Sequence, residues 1–439
     1  MANPSPATAL TADHLASIDQ RLTETDRILT SQYPGDRAVR QPVHTVYLPA
    51  DRYSPDLAER WGAEALAAVD RFGGAVRLAA ELGVHGSQVK QVAAGMLDKL
   101  RSEPIEDLRL DFEDGYGMRD NDEEDAHALG AAVAVTEAIA SGQAPPFIGI
   151  RFKSLERPTR HRGLRTLDLF IGGLVMAGDL PDGLVLTLPK VSASAQVEAM
   201  VFACERLEAA HGLHPGRLRF EVQVETPQVV LSADGTVPVA SMLHRSAGRI
   251  TSLHYGTYDY SASLGIAAGY QSMEHPAADH AKQVMQVAVA GTGVHLSDGS
   301  TNVIPTGEPS AVLEAWRLHA RLVRRSLERG YYQGWDLHPA QLPTRFIATY
   351  AFYRDGLAAA CTRLRHFVHK IEGGFMDEPA TARALAGFVW RAVTCGAATI
   401  EEVTSETGMD FSQLTELAHP SAKTNASADA SPTYSSPTK

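Results

Sequence analysis

The chain has 439 residues, 44% hydrophobic and 21% charged, with a formal net charge of −12. That is an ordinary globular composition with room for one large domain and additions, and a surface so acidic excludes wrapping nucleic acid or docking on anionic lipid. Three scattered cysteines (Cys204, Cys361, Cys395) form no CxxC pair, so they read as isolated buried thiols in a reducing, cytoplasmic protein.

The N-terminus lacks the basic patch and apolar run of a signal peptide, and no stretch is apolar enough to span a membrane. Residues 1–43 read as a polar extension holding one amphipathic helix, Ala12 to Ser31. Eight short apolar or β-branched runs follow: HTVYLPA from 44, LRLDFED from 108, FIGIRFK from 147, GLVLTLPK from 183, RFEVQVETP from 219, ITSLHYGTYD from 250, TGVHLSDG from 292 and YYQGWDLHP from 331. Segments with helical spacing separate them, such as AQVEAMVFACERLEAAH and AVLEAWRLHARLVRRSLERG. Strands alternating with helices mean βαβ units and a parallel sheet. Eight of them predict an α/β fold, a (β/α)8 TIM barrel over 44–343. An open doubly wound sheet is less well supported, because no GxGxxG follows an early strand. The connection from 51 to 107 is long enough for two helices. Residues 344–418 read as a helical appendage. The Ser-, Thr- and Pro-rich end, 419–439, cannot offset its ordering entropy and is expected to be disordered.

In such a barrel, catalytic groups sit at the C-terminal ends of strands. Seven of the eight runs end in an ionisable residue: Asp111, Glu113 and Asp114; Arg151 and Lys153; Lys190; Glu225; Asp259; Asp298; Asp336 and His338. Carboxylates facing one cavity either share protons or hold a cation. With oxygen donors and no cysteine nearby, that cation is Mg2+ before Zn2+. Arg151 is a rigid fork suited to a carboxylate. Plainer roles stay open at this level. Glu225 could cap the next helix, Asp259 could serve a turn, and Arg151 and Lys190 could belong to a structural ring of ion pairs. His338 could be a buried histidine, and Asp298 and Asp336 could be structural. Lys153 is expected to be solvated.

Five ordered motifs, LDFEDGYG, GIRF, LPKVSASAQV, VQVETPQVV and LHYGTYDYSASLG, with a final LHPAQL, resemble the HpcH/HpaI aldolase and citrate lyase beta-subunit family over residues 44 to about 345. The resemblance implies a TIM barrel with Mg2+ or Mn2+ held by Glu225 and Asp259. It implies a carbon–carbon lyase or aldolase acting on a 2-oxo or hydroxy acid through a metal-stabilised enolate of a pyruvate- or oxaloacetate-like unit. Arg151 would grip the substrate carboxylate, with Asp298 and His338 from the rim also assigned to substrate. Glu113 and Asp114 would lie beside the metal's waters and, with Arg151 and Lys190, make up the catalytic set. Relatives assemble as trimers or hexamers, so a homo-oligomer is expected, with a small carboxylate as the other partner. Two departures stand out. Arg151-Phe152-Lys153 replaces Arg-x-Asn, and the acidic NDEEDAH stands where a basic pair is usual. Both disfavour a CoA thioester. Alternative readings are a Schiff-base aldolase on Lys190, a phosphoryl- or acyl-transfer enzyme of the phosphoenolpyruvate/pyruvate barrel type, and a non-catalytic binding protein.

Overall fold

The computed structural model describes residues 9–178, 180–369 and 378–420. All eight expected strands are present: β1 (His44–Pro49), β2 (Asp107–Asp111), β3 (Phe147–Arg151), β4 (Leu186–Leu188), β5 (Phe220–Val224), β6 (Ile250–Tyr255), β7 (His295–Ser297) and β8 (Gly334–Asp336). They pair in parallel and in chain order, and β8 returns to pair with β1. A bridge between Ser297 and Gln333, with Asp298 N–H donating to the Gln333 carbonyl at 2.8 Å, joins β7 to the start of β8 and closes the ring. The fold is the expected (β/α)8 barrel.

Sixteen α-helices occur among the described residues. One, α1 (Ala12–Gln32), precedes the barrel. Between β1 and β2 lie three helices rather than two: α2 (Leu57–Phe72), α3 (Ala75–Glu81) and α4 (Gln88–Ser102). The break between the first two is Gly73-Gly74, with φ of 107° and 96°, a left-handed pair that other residues adopt only under strain. The outer layer continues with α5 (Asn121–Ala140), α6 (Arg160–Ala177), α7 (Ser194–His211), α8 (Pro227–Val230), α9 (Pro238–Arg245), α10 (Thr257–Ser263), α11 (Pro276–Val289) and α12 (Pro309–Glu328). A helical C-terminal extension follows: α13 (Leu342–His369), α14 (Pro379–Thr394), α15 (Ile400–Thr407) and α16 (Phe411–Ala418). It shares one continuous apolar core with the barrel helices. The expected disordered end begins at His419, which is buried and 3.3 Å from Asp36; residues 421–439 lie outside the described set. All three cysteines are buried and free, and no helix among the described residues is long and apolar enough to cross a membrane.

Strand side chains alternate between the two faces, and here the faces differ in kind. Outward residues such as Leu108, Leu110, Ile150, Leu186, Val222 and Leu253 feed the apolar core. Inward residues are polar. Arg109 binds Asp107, Thr187 and Glu221 (Nη2 to Oε2, 2.8 Å). Tyr47 Oη donates to Glu221 at 3.0 Å, and His254 lies 3.1 Å from the same carboxylate. Gln223 Nε2 donates to Tyr47 Oη at 3.2 Å, one tier higher. The barrel is therefore filled by a hydrogen-bonded network rather than by branched apolar side chains.

Candidate functional site

At the C-terminal mouth, β2 ends at Asp111, directly opposite Arg151 in the β2–β3 register. Both carboxylate oxygens of Asp111 are taken by Arg151, from Nε at 2.6 Å and from Nη2 at 2.7 Å. Asp111 also accepts backbone N–H bonds from Glu113 (3.0 Å) and Gly115 (2.8 Å). Those bonds fold the LDFEDGYG loop back over the opening. A Cβ at position 115 would stand 2.7 Å from Asp111 Oδ2, so only glycine fits there. The Arg151 guanidinium lies over the Tyr47 ring at 4.9 Å, and its Nη1 reaches Gln223 at 3.4 Å. Its fork thus grips Asp111, and only the Nη1 side faces the mouth. Burial works against the charge of Asp111, but Arg151 outweighs it and holds the carboxyl below its usual range.

Glu113 and Asp114, thrown over the mouth by this loop, meet Lys190. Lys190 Nζ lies 2.8 Å from Glu113, 2.7 Å from Asp114 and 3.5 Å from Asp259. Its own backbone N–H donates to Glu225 Oε1 at 2.8 Å. The residue has φ of +50°, a left-handed conformation that costs a side-chain-bearing residue about 1–3 kcal/mol and persists where surroundings impose it. Glu225 follows β5 and is buried, while Thr226 Oγ1 is tied to the Val191 carbonyl at 2.6 Å and Pro227 opens α8. Glu225 therefore caps no helix with its side chain. It lies against Gly256, where a Cβ would come within 2.5 Å of Glu225 Cβ. Asp259, in the first turn of α10, is half exposed on the far side of Lys190.

The electrostatics are unbalanced. Burial, then the charge of Glu113, pushes Glu225 up to about 8. Burial raises Glu113 to about 7, with Asp114 adding to it and Arg151 opposing. Burial opposes the Lys190 ammonium, but Glu113 and Glu225 more than offset it, so the lysine stays charged well above neutrality. Glu113 Oε2 is buried with no hydrogen-bond partner; Arg151 Nη1 lies 3.3 Å away as an ionic neighbour only. Three carboxylates thus share one ammonium, and a fourth, Glu225, is held on the same residue's backbone N–H. Among the described residues, no three His, Cys, Asp or Glu side chains are arranged as a ready metal cage, and the Lys190 ammonium lies between Glu113, Asp114 and Asp259. The donor set, all oxygen, in negative surplus and with one orphaned buried atom, fits a hard divalent cation such as Mg2+ or Mn2+.

The structure therefore brings together Glu113, Asp114, Arg151, Lys190, Glu225 and Asp259. It does not bring in the others. Asp298 follows the lumen-facing Ser297, so alternation turns it outward. There it binds Lys282 of α11 (3.0 Å), Ser326 of α12 (2.7 Å) and the Gly299 N–H. His338 uses Nδ1 to accept the Ala340 N–H at 3.1 Å, capping the 3-10 turn that follows β8. Asp336 is directed outward to His44, His319 and Arg345. Lys153 is not solvated but buried, bound to Glu124 at 2.6 Å and the Phe112 carbonyl at 2.8 Å. Sequence reasoning missed Asp111 as the anchor of Arg151, and Tyr47 and Gln223 beneath it. The inward parity of Asp107, Arg109 and Asp111 was the available signal.

The site and fold define a (β/α)8 barrel with a carboxylate-lined mouth. The chain belongs to a family defined by a domain of unknown function, DUF6986, whose model matches residues 22–422. No curated protein matches the chain. Among solved structures it is similar to Haloferax volcanii malate synthase, in a lead(II) complex, at 15% identity and TM-score 0.48, covering 85% of this chain and 89% of that one. It is also similar to a citrate lyase beta subunit from M. tuberculosis complexed with oxaloacetate and magnesium, at 16% identity and TM-score 0.40, covering 72% and 97%. A third is an HpcH/HpaI aldolase/citrate lyase family protein from Burkholderia cenocepacia J2315, at 17% identity and TM-score 0.36, covering 74% and 93%.

Proposed function

We propose that the chain is a Mg2+-dependent carbon–carbon lyase or aldolase acting on a small 2-oxo or hydroxy acid. The observation that carries this reading is the convergence of Glu113, Asp114 and Asp259 on the Lys190 ammonium, with Glu225 held on the same residue's backbone N–H, beside a fixed Arg151. Glu225 and Asp259 would hold the divalent ion, with Glu113 and Asp114 beside it. The ion, when bound, supplies Lewis acidity toward charge developing on the substrate's carbonyl oxygen.

The chain's own groups do the rest. Arg151, clamped by Asp111, Gln223 and the Tyr47 face, offers Nη1 to one oxygen of the substrate carboxylate. A guanidinium already fixed on three sides loses little freedom when substrate arrives. Glu113, poised near neutrality, is suited to take the proton from a substrate hydroxyl as it becomes a carbonyl and the carbon–carbon bond breaks, and to pass that proton to the released carbon, since a base works best with a pKa close to ambient pH. Lys190 remains charged, so it orients and neutralises rather than attacking a carbonyl; this disfavours the Schiff-base alternative.

The test is a screen of 2-hydroxy and 4-hydroxy-2-oxo acids for release of a 2-oxo acid product in the presence of Mg2+. Cleavage that chelation abolishes is expected, and Arg151→Lys should lower kcat/KM by about a hundredfold. Turnover that survives exhaustive chelation, or borohydride trapping of substrate on Lys190, would sink the proposal.

A further inference from the structure

Helix α1 is capped at both levels expected of a committed helix. The Thr11 side chain accepts the His14 N–H, and His14 in turn accepts the Thr11 N–H. Yet not one of its 21 residues is buried. Leu15, Ile18, Leu22 and Leu29 are 50%, 40%, 46% and 53% exposed. An isolated helix of this length is marginal in water and draws most of its stability from packing an apolar face. Among the described residues, Leu15, Ile18, Leu22 and Leu29 bury against no other part of the chain.

The spacing of the face is informative. Leu15, Leu22 and Leu29 fall on a positions of a heptad, and Ile18 and Thr25 on d. The charges divide the same way. On the outer surface, Glu24 and Arg27 pair within the helix at 2.6 Å. At the flanks of the seam, Arg21 takes a g position and Asp26 the e position five residues on, with His14 and Asp19 one heptad earlier. Among the described residues no ion pair joins Arg21, Asp26 or Asp19 to any partner in the chain. In parallel helices each g residue meets the e residue five positions on in its neighbour, so Arg21 would meet Asp26 and His14 would meet Asp19. In antiparallel helices e meets e, and carboxylate would face carboxylate.

We infer that α1 is an assembly helix, docking in parallel register against α1 of further copies of this chain. Leucine at a with isoleucine at one d position, Ile18, tilts the preference toward three or four strands over two. About two heptads hold weakly, so the association is concentration-dependent.

The test uses the full chain. Sedimentation equilibrium should show self-association that Leu22→Arg abolishes. Arg21→Asp should weaken it, and Arg21→Asp combined with Asp26→Arg should restore it. The native cysteines are all buried, which permits a cross-linking readout. Leu22→Cys should give disulfide-linked dimers under mild oxidation, while Ser17→Cys, on the outer surface, should not. Because every substituted α1 position is exposed, these variants should keep the wild-type unfolding temperature, which separates lost association from misfolding. A monomeric wild type, assembly indifferent to Leu22→Arg, or disulfides that form between Leu15→Cys and Leu29→Cys chains but not within Leu15→Cys alone would overturn the inference.

Discussion

Two tiers of the barrel lumen carry similar residue types and opposite accounts of charge. In the middle tier, Arg109 lies between Asp107 and Glu221, with His254, Tyr47 and Thr187 completing the shell. Burial alone would raise Glu221, but Arg109 and His254 overcome it and drive its pKa far below the ordinary value, while burial, opposed by Arg109, raises its neighbour Asp107. At the mouth, three carboxylates lie at one ammonium with Glu225 on the same residue's backbone N–H, and two of the four are pushed up toward neutrality. A buried charge cluster that satisfies itself is structural. One left in negative surplus around a strained lysine is what the proposed divalent cation would balance.

The largest expected effect breaks the middle tier. Glu221→Ala leaves Arg109 and His254 buried without their shared acceptor and should cost about 3–5 kcal/mol of stability, read as a lower denaturant midpoint. An unchanged midpoint would mean that the network is dispensable.

The second prediction inverts the sign at the mouth. Glu225 binds its proton up to about 8 in the folded chain and up to about 4.5 when unfolded. Across that window the native state holds a proton that the unfolded state has released. Stability should therefore fall as pH rises, by at most about 1.4 kcal/mol per pH unit. Glu225→Gln should flatten the slope without destabilising the fold. A slope that survives the substitution would assign the surplus to other groups.

The strands were legible because each is a short apolar or β-branched run between helical segments, and their order leaves a parallel ring as the natural closure. The site was legible only in height. A strand-end position says how far up the barrel a residue lies, not which way it points. Glu225 and Arg151 point inward with the parity of Gln223 and Gly149. Asp298 and Asp336 miss the lumen by one residue, and an adjacent residue on a strand faces the opposite way. Lys153 was misjudged because the acidic Glu124 waiting for it lies on α5, 29 residues away. The extra helix after β1 followed from Gly73-Gly74, two adjacent glycines that the helical spacing on either side concealed. The placement of Lys190 depends on a left-handed backbone at a non-glycine residue, which no propensity announces.

The central claim is that the carboxylates at the mouth are arranged for a divalent cation. Calorimetric titration of Mg2+ into chelator-treated wild type, Glu225→Gln and Lys190→Met tests it most directly. The account predicts saturable binding in the wild type that oxalate strengthens, and loss of binding in Glu225→Gln. Lys190→Met, which removes a competing positive charge from among the carboxylates, should bind about tenfold or more tightly. No binding to any of the three, or equal affinity in wild type and Glu225→Gln, would contradict it.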